Sequence, residues 1–121
     1  MPGFASLAML NLDAEDPAAL ATFYSQVLGW DVLHSTAEYA MIGDGSTSIG
    51  FGQVPGYSAP GWPGETSPKR YHLDFYVDDL DKAEELALAL GATKPSEQPT
   101  PDRWRVLLDP AGHPFDICLR S

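Results

Sequence analysis

Asp16-Pro17-Ala18-Ala19-Leu20-Ala21-Thr22-Phe23-Tyr24-Ser25-Gln26-Val27-Leu28-Gly29 has a second version further along the chain, Asp78-Asp79-Leu80-Asp81-Lys82-Ala83-Glu84-Glu85-Leu86-Ala87-Leu88-Ala89-Leu90-Gly91. Both begin on acid, carry an apolar stripe at helical spacing and stop on glycine. Each follows a short apolar segment, Leu7 to Leu12 in one case and Tyr71 to Val77 in the other. The offset is constant, since 78 − 16 and 91 − 29 both equal 62. A chain of 121 residues therefore holds two copies of one supersecondary unit. Internal repetition fixes architecture before side-chain chemistry is considered.

Local signals fill in each copy. Asp16 suits a helix N-cap, and Pro17 suits the first helical position, where a missing N–H costs nothing. Leu20, Phe23, Tyr24, Val27 and Leu28 make the first stripe, and Gly29 is a left-handed stop. Trp30 to His34, Tyr39 to Ile42 and Thr47 to Gly52 read as strands separated by turn chemistry. In the second copy Leu80, Ala83, Leu86, Ala87 and Leu90 form the stripe. Ala92 to Pro95, Arg103 to Leu108 and Phe115 to Leu119 are its strands, with Asp109-Pro110-Ala111-Gly112 as a tight turn.

The expected fold is thus α+β: two βαβββ modules, 1–54 and 70–121, within one domain spanning 1–121. Two such sheets curved toward each other would enclose a cavity. The strap over 55–69 holds Pro55, Pro60, Pro63 and Pro68 with Gly56, Gly61 and Gly64, and its prolines make it semi-rigid. Tyr57 and Trp62 within it either anchor the strap or stack on a ligand at the cavity mouth.

Composition narrows the partners. Seven Lys and Arg face seventeen Asp and Glu, a formal charge of −10. Such a surface repels phosphate backbones and anionic lipid, so neither nucleic acid nor membrane is expected as a partner. One cysteine, Cys118, excludes an intramolecular disulfide, and no basic leader precedes the first apolar residues; both fit a cytoplasmic protein.

Strand alternation selects the polar candidates. In Tyr71-His72-Leu73-Asp74-Phe75-Tyr76-Val77, the side chains of His72, Asp74 and Tyr76 share one face and those of Leu73, Phe75 and Val77 the other. If the apolar set meets the helix, the polar set looks into the cavity. Asp116 falls on the same side of the last strand by the same logic. The plainer reading of His72 and Asp116 is a hydrogen-bonded pair, and the sharper one is an acid–base or metal-ligating pair. His113 belongs to the turn, His34 to solvent, and Cys118 to the core.

These segments resemble the vicinal oxygen chelate superfamily of glyoxalases, fosfomycin- and bleomycin-resistance proteins and extradiol dioxygenases, in particular its small glyoxalase-like members. The resemblance rests on Asp16–Gly29, His72-Leu73-Asp74, Val77-Asp78-Asp79-Leu80, Leu90-Gly91-Ala92 and Asp109-Pro110-Ala111-Gly112-His113-Pro114. It implies paired βαβββ modules and, in metal-dependent members, a divalent ion held by three side chains. Carried over by motif, those positions are Met9, His72 and Asp116. A thioether does not favour Mg, Mn or Fe over water, so Met9 departs from the pattern. Asn11 or Asp13 would supply oxygen only with a shift of register.

Three functions follow. The first is a metal-free binder of a small organic molecule, needing no cofactor, with a pocket lined by Met9, Asn11, His72, Asp74, Tyr76 and Asp116 and rimmed by Trp30, Tyr57 and Trp62. The second is a metal-dependent lyase, isomerase or dioxygenase acting on vicinal oxygens with His72 and Asp116 as ligands of a divalent metal ion. The third is a metal-free enzyme with His72 and an aspartate as acid–base pair. His72 and Asp116 are the catalytic candidates under either enzymatic reading. A lone four-stranded half would expose much apolar sheet, and in many relatives two chains complete each other's half-barrels, so a homodimer is expected.

Overall fold

The computed structural model describes residues 3–61 and 71–120. The strand-and-helix order is β1 (Leu10–Ala14), α1 (Pro17–Leu28), β2 (Asp31–Ser35), β3 (Tyr39–Gly43), β4 (Ser48–Gln53), β5 (Leu73–Val77), α2 (Leu80–Ala89), β6 (Trp104–Leu108) and β7 (Pro114–Leu119). The chain forms two compact units, Met1–Tyr57 and Ser58–Ser121, each with one helix and one open sheet. The fold is the α+β, two-module arrangement expected from the repeat. Among the described residues no helix is long and apolar enough to cross a membrane.

In the first unit, helix α1 begins and ends as its sequence dictates. Asp16 Oδ1 accepts from the Ala19 N–H at 3.2 Å. Gly29 takes φ of 72° and donates its N–H to the Ser25 carbonyl, while Ser25 Oγ donates to the Trp30 carbonyl. Leu20, Phe23 and Tyr24 are buried, and the Tyr24 ring stacks on Phe51 with centroids 5.8 Å apart. The sheet order is β1-β4-β3-β2, with β1 parallel to β4 and the other pairs antiparallel. Register places Leu12, Phe51 and Ala40 in one row beneath the helix, and Asn11, Gly50 and Met41 in the adjacent row on the opposite face. The first strand begins later than the apolar run suggests, at Leu10, and Phe4 and Leu7 are exposed.

The second unit departs from the repeat at one strand. Its sheet is three-stranded, β5-β7-β6, and the segment Ala92 to Pro95 contributes only the single bridge Thr93–Leu108. The outer edge of β6 is satisfied piecemeal instead. Leu108 exchanges hydrogen bonds with Thr93, and Trp104 donates its N–H to the Thr100 carbonyl. Between them the Gln98 side chain imitates a strand: its Oε1 accepts from the Val106 N–H at 2.9 Å, and its Nε2 donates to the Val106 carbonyl at 2.9 Å. Pro95 has no N–H to extend a ladder, so pairing stops after Thr93.

Helix α2 is capped by Asp79, whose Oδ1 accepts from the Lys82 N–H at 3.0 Å. Its sheet-facing row is Leu80, Ala83, Glu84 and Ala87, all buried or half-buried, rather than the all-apolar stripe expected. Leu86 is 57 % exposed and Leu90 is also exposed. The reason is Arg105, which rises from β6 to meet Asp81 at 2.8 Å and Glu84 at 3.2 Å, with Lys94 joining Glu84 at 3.0 Å. Hydrogen bonding to Asp81 raises the guanidinium pKa still further. An ionic contact thus takes the place that a leucine row would have filled. Below it Leu107, Phe115 and Ile117 are buried, and Phe75 packs on Phe115 with centroids 5.6 Å apart.

Gln98→Ala is expected to lower unfolding free energy by about 1–3 kcal/mol, because both polar groups of Val106 lose their partner at a part-buried edge. Urea unfolding followed by circular dichroism measures it. An unchanged midpoint would show that water serves this edge as well as the amide does.

Candidate functional site

Pairing of β5 with β7 brings the polar candidates of the second unit together. The strands run parallel with Asp74 opposite Asp116 and Tyr76 opposite Cys118, and β6 sets Val106 opposite Asp116 and Trp104 opposite Cys118. Side chains at these positions share the face away from α2, since Leu73, Phe75, Ile117 and Leu107 hold the other. His72, one step before β5, completes the group: its Nε2 lies 3.4 Å from Asp74 Oδ1 and 3.3 Å from Asp116 Oδ2. One ligand atom from each of the three residues falls within 4.8 Å of the others.

Burial differs across the group. Asp116 is 5 % exposed, His72 half-buried and Asp74 exposed. Removing a carboxylate from water is costly unless charge or hydrogen bonds compensate. Both His–Asp separations exceed the 2.7–2.9 Å of a tight charge-assisted hydrogen bond. His72 Nε2 thus lies at nearly the same distance from two carboxylates. An imidazole so held presents Nε2 to both carboxylates at once.

Cys118 sits on the same face. Burial pushes its thiol pKa up, and the nearby charges of Asp74 and Asp116 add to the effect. A thiol held in its neutral form is a poor nucleophile. Tyr76 is 65 % exposed, and the Arg120 guanidinium lies over its ring, 4.8 Å from the centroid.

The first unit carries a separate polar group. Tyr39 Oη donates to Met9 Sδ at 3.2 Å, so the thioether is engaged within its own unit. Asn11 and Tyr39 reach across Gly50: a Cβ there would overlap Asn11 Oδ1 and lie 2.6 Å from Tyr39 Oη. Tyr39 was not among the expected site residues. The signal for it was Gly50, a glycine inside a strand, which marks close approach of other groups. Trp30 and Tyr57 are half-buried members of this unit, and Trp62 lies outside the described residues.

His113 serves the turn through its backbone. Asp109 Oδ1 accepts from the N–H groups of Ala111 and His113 at 2.9 and 3.0 Å, and Gly112 takes φ of 85°. This turn delivers β7 in the register that aligns Asp116 with Asp74. His34 is exposed at the end of β2, with its ring 5.8 Å from that of Tyr39.

A two-sheet α+β chain with a polar centre on the helix-free face defines a class, and comparison gives that class its name. Residues 9–118 match the glyoxalase-like domain family, and the chain belongs to that family, within the vicinal oxygen chelate superfamily. No curated protein matches the chain. Among solved structures, it resembles a glyoxalase/bleomycin resistance protein/dioxygenase family enzyme from Burkholderia phytofirmans at 29 % identity and TM-score 0.68, covering 95 % of this chain and 98 % of that one. A protein from Agrobacterium tumefaciens solved by NMR shares the fold at 20 % identity and TM-score 0.71, covering 98 % and 99 %. So does a glyoxalase family protein from Enterococcus faecalis, at 20 % identity and TM-score 0.65, covering 95 % and 98 %.

The metal set implied by the superfamily does not fit these residues. Its first position is a thioether that already accepts a phenolic hydrogen bond, and such sulfur is a poor donor to hard divalent ions.

Alkylation of Cys118 by iodoacetamide is expected to show a pH midpoint above the ordinary thiol value of about 8.5. A midpoint below that value would mean that the thiolate is stabilised, and would add Cys118 to the catalytic candidates.

Proposed function

We propose that this protein binds a small organic molecule on the helix-free face of its second sheet, with His72 and Asp116 as polar anchors and no resident metal. The observation that carries this reading is the convergence of His72, Asp74 and the buried Asp116. A few polar groups set in apolar surroundings are the usual form of a small-molecule site. Met9, Asn11 and Tyr39 form a separate polar group within the first unit. Structural neighbours carry names that span glyoxalase, bleomycin resistance and dioxygenase, so fold alone does not choose between binding and catalysis.

A thermal-shift screen of the full chain against small metabolites and antibiotics tests this. A true ligand at a hundredfold excess over its Kd stabilises the native state by about 2.7 kcal/mol. Stabilisation is expected to survive chelator and to weaken in His72→Ala and Asp116→Asn. Stabilisation by divalent metal alone, with turnover of a hydroxy-ketone or catechol, would overturn the proposal.

One observation favours a second reading. Donors bound at roughly 2.0–2.1 Å around a tetrahedral ion lie about 3.4 Å apart, close to both His–Asp separations. Asp74 would then supply the ligand that Met9 does not. Metal analysis of purified protein decides: about one equivalent of Zn, Ni, Mn or Fe, lost on His72→Ala, establishes the second reading.

A further inference from the structure

We infer that α2 is held to its sheet by an ionic latch, and that it lifts away ahead of the rest of the chain when salt screens that latch. The inference is independent of what the helix-free face binds.

The two helices of the repeat are fastened differently. α1 sets Leu20, Phe23 and Tyr24 against its sheet, each no more than 2 % exposed. α2 holds the matching place with less. Leu80 is its single large apolar side chain that is buried, Ala83 and Ala87 bring one methyl each, and Leu86, Leu88 and Leu90 are exposed. Elements with few buried apolar contacts are the first to open in native proteins.

Charge takes the place of the missing apolar contact. Arg105 reaches from β6 with Nη2 2.8 Å from Asp81 Oδ1 and Nη1 3.2 Å from Glu84 Oε1, and its Nε donates to the Pro101 carbonyl at 2.9 Å. Lys94 Nζ meets the same Glu84 oxygen at 3.0 Å. Asp81 and Lys94 are exposed, so dissolved ions reach both ends of this chain of charges. Arg105 and Glu84, half-buried between them, give up hydration that their attraction only partly returns. The latch is therefore specific in geometry and modest in strength. β7 beneath it carries Asp116 on the other face, so lifting of α2 uncovers one side of a strand that holds the site.

The molecule contains its own control. α1, Pro17–Leu28, has no charged residue, whereas α2, Leu80–Ala89, has Asp81, Lys82, Glu84 and Glu85. The whole chain carries −10, and salt relieves the self-repulsion of such a chain. Added salt thus steadies the global fold while it loosens the latch, and the two helices respond in opposite directions.

Native-state amide exchange of the full chain, read by NMR at one pH in about 0.05 and about 0.5 M NaCl, tests this. After correction for intrinsic rates, the hydrogen-bonded amides of α2 are expected to exchange about ten-fold faster than those of α1 at low salt. At the higher salt α2 is expected to gain about another three-fold, with α1 unchanged or slower. Arg105→Gln is expected to speed α2 about ten-fold at low salt and to abolish its salt response, whereas the exposed Glu85→Gln leaves both helices as they are. Arg105→Leu combined with Glu84→Leu restores an apolar row and is expected to slow α2, a gain that general destabilisation does not produce. Equal protection of the two helices, no salt acceleration of α2, or a salt response that persists in Arg105→Gln would overturn the latch. So would an equal acceleration by Glu85→Gln. The salt series on the unaltered chain decides the matter even where Arg105→Gln fails to fold.

Discussion

Parallel pairing of β5 with β7 is the constraint on which the second unit depends. Parallel strands cannot be joined by a tight turn, so α2 and β6 must intervene between them. The register that results sets Asp74 against Asp116 and Phe75 against Ile117. One choice therefore sends the aromatic and aliphatic side chains to the helix and two carboxylates to the other side. A slip of one residue would exchange the faces, placing Asp116 under α2 and Phe115 in the position now held by acid. The Asp109 turn enforces the choice, since its carboxylate gathers two backbone N–H groups before β7 begins.

Most of the fold was legible because its signals are local. Asp16, Pro17 and Gly29 specify a helix and its ends whatever surrounds them, and the structure uses each of them in that way. Pro95 signalled that pairing would stop, but what replaces the strand was not legible, because Gln98 acts from outside the segment. Nothing in Ala92 to Pro95 announces that a glutamine beyond it will take over pairing with Val106. The exposed Leu86 and Leu90 have a similar cause: Arg105, distant in sequence, claims the helix face through Asp81 and Glu84. Periodicity counts apolar residues and cannot see an ionic substitute for one.

The site was half legible for the same reason. Alternation placed His72, Asp74, Tyr76 and Asp116 on one face, because strand geometry alone determines sidedness. It could not show His72 standing between two carboxylates, which depends on rotamers and on strand register. Nor could it show Tyr39 holding Met9, a contact between β3 and the residue just before β1. That contact recasts the methionine. It is less a lost metal ligand than one member of a packed phenol–thioether pair, set beside the cradle above Gly50.

Gln98 has a wider consequence for how this domain lives among copies of itself. An outer strand with open N–H and carbonyl groups invites another chain to extend the sheet, and such contacts seed aggregation. Here one amide side chain fills the central position of that edge, with backbone groups of Thr93 and Thr100 on either side. This edge of the sheet is closed to strangers by three point contacts instead of a continuous strand. The intervening loop is thereby released from any obligation to be extended, and its length and composition can drift as long as those three contacts are kept.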